Sequence, residues 1–142
     1  MQTDVDNIQR LLDRFKRPIP TKEIYQTRLA EEFELILNQR FTDYFLQICD
    51  IIDLTDDLTH MTRGSAGSSL ICYLLGITDV DPIKWNIPVA RFMNPLRDDL
   101  PDVDIDFEHW RQGDVMQRIF KKWPGKLSLI HISEPTRPTP IA

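Results

Sequence analysis

The residues best suited to chemistry in this sequence are aspartates on alternate positions of Pro101-Asp102-Val103-Asp104-Ile105-Asp106-Phe107-Glu108. In extended chain, successive side chains point to opposite faces. Asp102, Asp104 and Asp106 therefore share one face at intervals of about 7 Å, while Val103, Ile105 and Phe107 turn toward a core. Carboxylates in such a row repel one another. A hard divalent ion such as Mg²⁺ relieves the repulsion by taking oxygen ligands from one or two of them and completing its shell with water and phosphate oxygens. The same pattern also serves as a solvated strand face. A second stretch, Thr62-Arg63-Gly64-Ser65-Ala66-Gly67-Ser68-Ser69, feeds the apolar run Leu70 to Leu75. Glycine lets the backbone approach a ligand, an open helix N-terminus donates N–H groups to an anion, and Arg63 would add a charge-assisted contact, so a phosphate suits this loop. Its plainer alternative is a turn at Gly64 and Gly67 with Ser65 or Ser68 capping the helix.

The elements that must position these groups are mostly helical. Residues 4–16 read as a helix with Ile8, Leu11, Leu12 and Phe15 on one side, Asp4 or Asp6 as its cap, and Lys16 and Arg17 at its C-terminal end. Pro18-Ile19-Pro20 breaks the chain. Thr21 is placed to cap a second helix whose stripe is Tyr25, Leu29, Phe33 and Leu37, and Thr42 to cap a third with Tyr44, Phe45, Ile48, Cys49, Ile51 and Ile52. A last helix spans about 111–122, with Val115, Met116, Ile119 and Phe120 along one side, and stops at Trp123-Pro124-Gly125. With the acidic strand, this makes an α/β chain dominated by helix.

Composition narrows the function. The chain has 142 residues, the length of one small domain, with 42% hydrophobic and 27% charged residues. A net charge of −5 offers no broad basic surface, so contact with nucleic-acid phosphates must be local or metal-mediated. Cys49 and Cys72 match neither zinc nor disulfide spacing, which points to a reducing, cytoplasmic setting. His60 and His109 have no partners at metal-ligand spacing and read as ordinary solvent-facing histidines, and His131 is not read as a ligand. No apolar run is long enough to span a membrane, and Met1 to Asp6 lacks the basic and apolar regions of a signal peptide, so a soluble protein without membrane contact is expected.

Four motifs in order resemble the palm of the bacterial family C replicative DNA polymerases, the DNA polymerase III α family. They are Arg63-Gly64-Ser65, the run Leu75-Gly76-Ile77-Thr78-Asp79-Val80-Asp81-Pro82, the segment Arg91-Phe92-Met93-Asn94-Pro95, and the strand Pro101 to Phe107. Tyr25 to Leu46 looks like the segment that leads into that palm, and the likeness extends to Trp123. The resemblance implies a partial nucleotidyltransferase palm of the polymerase β kind over residues 21–123, preceded by a helical lead-in over 1–20. It implies a DNA-directed DNA polymerase that adds deoxynucleotides to a primer 3′ end by two-metal phosphoryl transfer. Asp104 and Asp106 would be the catalytic, metal-binding pair for Mg²⁺, with Asp102 a neighbour, and Arg63, Gly64 and Ser65 the triphosphate loop. Primer-template DNA, deoxynucleoside triphosphates and other replisome subunits are the implied partners of the full-length parent. Arg91 and Arg97 match arginines of the family pattern and would be placed to touch phosphate, although a surface ion pair with Asp98 or Asp99 is the more ordinary reading of both.

The sequence departs from the family in three places. The lead-in Leu58-Thr59-His60-Met61-Thr62 is a few residues short, so the strand before the loop is expected to be damaged. Ala66-Gly67-Ser68-Ser69 stands where Gly-Ala-Gly-Ser is usual. The family's third catalytic aspartate lies on a later strand, beyond the matched region, which makes the metal site incomplete and the chain inactive by itself. From about Lys126, the run Leu127 to Arg137 looks like the translation of a transposase-type sequencing-library adapter, so 124–142 is expected to be a flexible, non-native tail. Two alternatives stay open: a non-catalytic helical interaction module, and another nucleotidyltransferase sharing the Gly-Ser loop and Asp-x-Asp pair.

Overall fold

The computed structural model describes residues 2–58, 60–97, 99–123 and 131–133. Three helices come first: α1 (Gln2–Leu12), α2 (Glu23–Gln39) and α3 (Thr42–Leu54). Strand β1 (His60–Arg63) runs into a 3₁₀ turn, Gly64–Ser68, and the short helix α4 (Leu70–Leu74). The chain then makes an excursion through the 3₁₀ turn Val89–Arg91, returns as β2 (Asp104–Phe107), and continues through a turn at His109–Arg111 into α5 (Gln112–Lys122). A last strand, β3 (His131–Ser133), completes a sheet of order β1-β2-β3. Helix dominates, as the apolar spacing predicts.

The core lies where the helical stripes meet β2. All six apolar residues predicted to line α3 are buried, together with Leu29, Phe33, Leu35 and Ile36 of α2. Val103, Ile105 and Phe107 are each 0% exposed; full burial of side chains this size contributes roughly 1.5–3 kcal/mol apiece. On α5 only Val115 and Ile119 are buried, while Met116 and Phe120 remain exposed.

Helix ends depart from the expected caps. Neither Asp4 nor Asp6 caps α1, since both lie inside it. Lys22, not Thr21, stands at the N-cap of α2 without a side-chain cap, and Phe41 precedes α3 while Thr42 lies inside its first turn. The Thr42 hydroxyl is buried without a hydrogen-bond partner. At the other end of α2, Arg40 takes a left-handed conformation (φ 60°) and its N–H donates to Leu37, while Phe41 N–H returns to Ile36 at 2.9 Å. This closes the helix in the manner usually left to glycine.

Despite its short lead-in, β1 forms, pairing antiparallel with β2 in the register His60–Phe107, Met61–Asp106, Thr62–Ile105 and Arg63–Asp104. Within the tail, His131–Ser133 pairs parallel with Asp104–Asp106. A strand here departs from the expectation of a flexible tail. Its β-branched alternation suits a strand, and β2 has an edge left open beside β1. The rest of 124–142 is outside the described residues.

Candidate functional site

The β1–β2 pairing brings the two chemically suggestive stretches together. Directly opposite residues on one face of an antiparallel pair are neighbours, and diagonal ones lie within reach of long side chains. Arg63 stands opposite Asp104 and forms an ion pair with Asp106, Nε against Oδ2. The chain then turns at Gly64, whose φ of +78° is a conformation that side chains other than glycine's rarely adopt. A Cβ at Gly64 would stand 3.5 Å from Asp104 Oδ2, so the loop backbone passes close to the first carboxylate of the strand. Ser65 follows, half-buried in the 3₁₀ turn.

The carboxylates do not form the uniformly solvated row that alternation suggests. Asp102 precedes the strand and is exposed, Asp104 is half-buried, and Asp106 is 2% exposed. Both carboxylate oxygens of Asp106 are buried without a hydrogen bond. A buried charge in that condition needs a cation, which here is the Arg63 guanidinium, and a divalent ion that takes oxygen ligands, such as Mg²⁺, would meet the same need. Asp104 and Asp106 thus fit a divalent ion as far as two carboxylates can, with the remainder of its shell left to water and phosphate. Among the described residues, no group of three or more His, Cys, Asp and Glu side chains is gathered where it could hold a metal.

The expectation that the first turn of α4 offers free N–H groups is corrected by a residue the sequence reading passed over. Glu32 of α2, 0% exposed, accepts hydrogen bonds from the amides of Leu70 (2.8 Å) and Ile71 (3.1 Å), from the Ser69 hydroxyl (2.7 Å) and from Arg28 Nε (2.8 Å). Ser69, rather than Ser65 or Ser68, caps α4, accepting from the Cys72 amide at 3.1 Å. A carboxylate of the chain itself already occupies that helix end, which leaves no open amides there for a phosphate. Burial pushes the Glu32 carboxyl above its ordinary range, against the pull of Ser69, the two amides and Arg28. Arg28 also donates to the carbonyls of Ser68 (2.6 Å) and Ile87 (2.7 Å), fixing the loop's far end. The signal was present in the sequence: Arg28 and Glu32 are four apart on α2, and Glu32 interrupts the apolar stripe between Leu29 and Ile36.

The remaining polar candidates lie elsewhere. Arg91 is exposed, and Arg97 pairs with Asp99 at 3.1 Å. His60 is half-buried, its ring 6.0 Å from that of Phe107, and burial holds its imidazole below the usual value. The side chains of His109 and His131 are outside the described residues, as is Asp98. Concavities of about 510 Å³ beside Glu23, Thr27 and Pro82 and about 390 Å³ beside Glu34, Leu35 and Met93 are lined by neither carboxylate of the strand nor the Gly64 turn.

A family model described as the bacterial DNA polymerase III alpha NTPase domain matches residues 5–135. The chain belongs to that family. The DNA polymerase III subunit alpha of Staphylococcus aureus (strain MRSA252) is 41% identical over 126 residues, covering 87% of this chain and 12% of the relative, and the same subunit of strain N315 matches equally. An error-prone DNA polymerase of Bdellovibrio bacteriovorus is 38% identical over 112 residues, or 78% of this chain and 10% of that protein. The chain thus spans about an eighth of its DNA polymerase III alpha relatives, and the family match runs past Trp123, where the motif resemblance ends. Among the described residues, no helix is long and apolar enough to cross a membrane.

Proposed function

We propose that the chain is part of the palm of a replicative DNA-directed DNA polymerase, built as a polymerase β-like nucleotidyltransferase unit. In this reading Asp104 and Asp106 hold Mg²⁺, and Arg63, Gly64 and Ser65 seat the triphosphate of an incoming deoxynucleotide. The observation that carries it is the β1–β2 register, which sets the Gly64 turn against Asp104 and the Arg63 guanidinium against a buried Asp106 lacking hydrogen bonds. Metal ions bound there would neutralise charge on the transferring phosphoryl and leaving groups and lower the pKa of the primer 3′-hydroxyl. Arg63 offers the planar set of donors that suits phosphate. Gly64 lets a phosphate approach the backbone, and the Glu32–Arg28 bonds keep the turn in place so that little reorganisation is needed on binding.

Primer-template DNA, deoxynucleoside triphosphates and replisome partners belong, in this proposal, to the whole polymerase in the cytoplasm. The chain itself is inactive, because two carboxylates supply only part of a two-metal shell. Binding of Mn²⁺, followed by electron paramagnetic resonance on the 142-residue chain, tests the site. Loss of bound Mn²⁺ in both Asp104→Asn and Asp106→Asn is expected, and binding unchanged in both would overturn the assignment. Primer extension by the chain alone would overturn its inactivity.

A further inference from the structure

We infer that Arg63 is the resident counter-cation of Asp106 and competes with the divalent ion for it, so that guanidinium and metal take turns on one carboxylate. The inference rests on the reading of Asp104 and Asp106 as the metal holders. Three observations carry it. First, the two buried carboxylates among the described residues are compensated in opposite ways: Glu32 has four hydrogen-bond donors, whereas Asp106 has an ion pair and no hydrogen bond to either oxygen. Second, the partners differ in exposure, the Asp106 side chain being 1% and the Arg63 side chain 53% accessible. The acid cannot turn to water for relief, while the base can leave without desolvation. Third, Arg63 is the last residue of β1, in extended conformation immediately before the left-handed Gly64, so its side chain leaves the sheet where the proposed triphosphate loop begins.

The physical consequence follows from charge. A buried carboxylate without hydrogen bonds is costly unless a cation lies against it, and either a guanidinium or a divalent ion meets that need. Both cannot occupy the same oxygen. When an ion takes Asp106, the displaced guanidinium stands at the mouth of the loop, where its planar set of donors suits a phosphate. An anion that engages Arg63 must in turn free Asp106 for the ion. Metal and triphosphate thereby assist each other through a single side chain, and the coupling is reciprocal.

The test is Arg63→Ala in the complete 142-residue chain, read by Mn²⁺ affinity and by thermal midpoint with and without Mn²⁺. Removing a competitor should tighten Mn²⁺ binding, by a factor in the roughly 5–150-fold range of ordinary coupling energies. Without metal the variant should melt below the wild type, and saturating Mn²⁺ should recover the deficit. Arg63→Gln, which keeps bulk and a donor but not charge, should shift both readouts in the same direction, and it decides the matter if the alanine variant does not fold. Mn²⁺ affinity equal to or weaker than wild type in the folded variants would overturn the inference while leaving the metal site standing. Mn²⁺ binding that also survives Asp106→Asn would remove the metal reading itself, and the inference with it.

Discussion

The Glu32 carboxylate accepts the Ser69 hydroxyl at 2.7 Å across the interface between α2 and α4, so a long helix caps a short one through a buried charge. A five-residue helix gains little from its own hydrogen bonds, and its position must be imposed from outside. Because the Gly64–Ser68 turn leads directly into α4, this contact also fixes where the loop ends.

Truncating that contact should be costly. Glu32→Ala leaves the Leu70 and Ile71 amides, the Ser69 hydroxyl and the Arg28 Nε–H without their acceptor, and the Arg28 charge without its buried counter-ion. Breaking a buried pair in this way costs about 3–5 kcal/mol. Urea denaturation should show a loss of that size, with Glu32→Gln less damaging; a loss under about 1 kcal/mol would mean that water satisfies these donors.

Two positive-φ positions predict opposite outcomes. At Arg40 (φ 60°) a side chain occupies a conformation that costs roughly 1–2 kcal/mol outside glycine. Arg40→Gly should therefore stabilise the chain, by up to about 1 kcal/mol after the added freedom of the unfolded state is subtracted. Gly64→Ala should lose about 1–2 kcal/mol through φ alone, since its new Cβ would meet only ordinary contact distances. Thermal melts of the two variants check both signs.

How far these features can be read from sequence depends on the range of the interaction. Periodicity identified α3 and the inward set Val103, Ile105 and Phe107 because each pattern is local and its energetic cause, burial, is strong. The caps expected at Thr21 and Thr42 do not form, because a local hydroxyl preference of about 1 kcal/mol is easily overridden by how a helix docks. The Arg28–Glu32 spacing on α2 is legible, but the capping role of Glu32 is not, because Ser69, Leu70 and Ile71 lie on another element and nothing on α2 names them. The burial of Asp106 was equally hidden: alternation says which face a residue takes, but not what covers that face. Here the long side chain of Arg63 lies against it.

Acid should destabilise the chain through its ion pairs. Arg118 grips Asp57 with two bonds (2.6 and 3.1 Å) and also reaches Asp114 and the Leu54 carbonyl, holding α5 to the end of α3. Hydrogen bonding from Arg118 lowers the Asp57 pKa, hydrogen bonding from Arg97 lowers that of Asp99, and for Asp53 the raising effect of burial is outweighed by Lys16 and Arg14. Each folded-state value lies below the ordinary 3.8. The unfolded chain then binds more protons, so this stability is present above about pH 4 and is lost as pH falls through the folded values. Urea midpoints measured from about pH 5 to pH 2 should fall, and Arg118→Ala should flatten the fall.

His60 adds a separate slope at milder pH. Burial lowers its pKa below 6.5, with Lys16 acting in the same direction and Asp79 opposing. The unfolded imidazole protonates first, so stability is present above about pH 6.5 and declines as pH drops toward the folded value. His60→Gln should remove this decline between about pH 7 and pH 5, and an identical slope in the variant would count against the assignment.

The chain leaves the sheet at Arg63 and comes back to it at Asp104, with the two halves of the proposed site on either side of the excursion. Closing such a loop is an entropic cost that grows only logarithmically with its length, about 0.6 kcal/mol for each doubling. Material inserted at an exposed point of the excursion, such as Leu96 (93% exposed), would tax the Arg63–Asp106 pairing very little. The site is thus thermodynamically insulated from length changes in the stretch that joins its halves, while a single-residue slip in the register of β1 against β2 would reverse which side chains share its face.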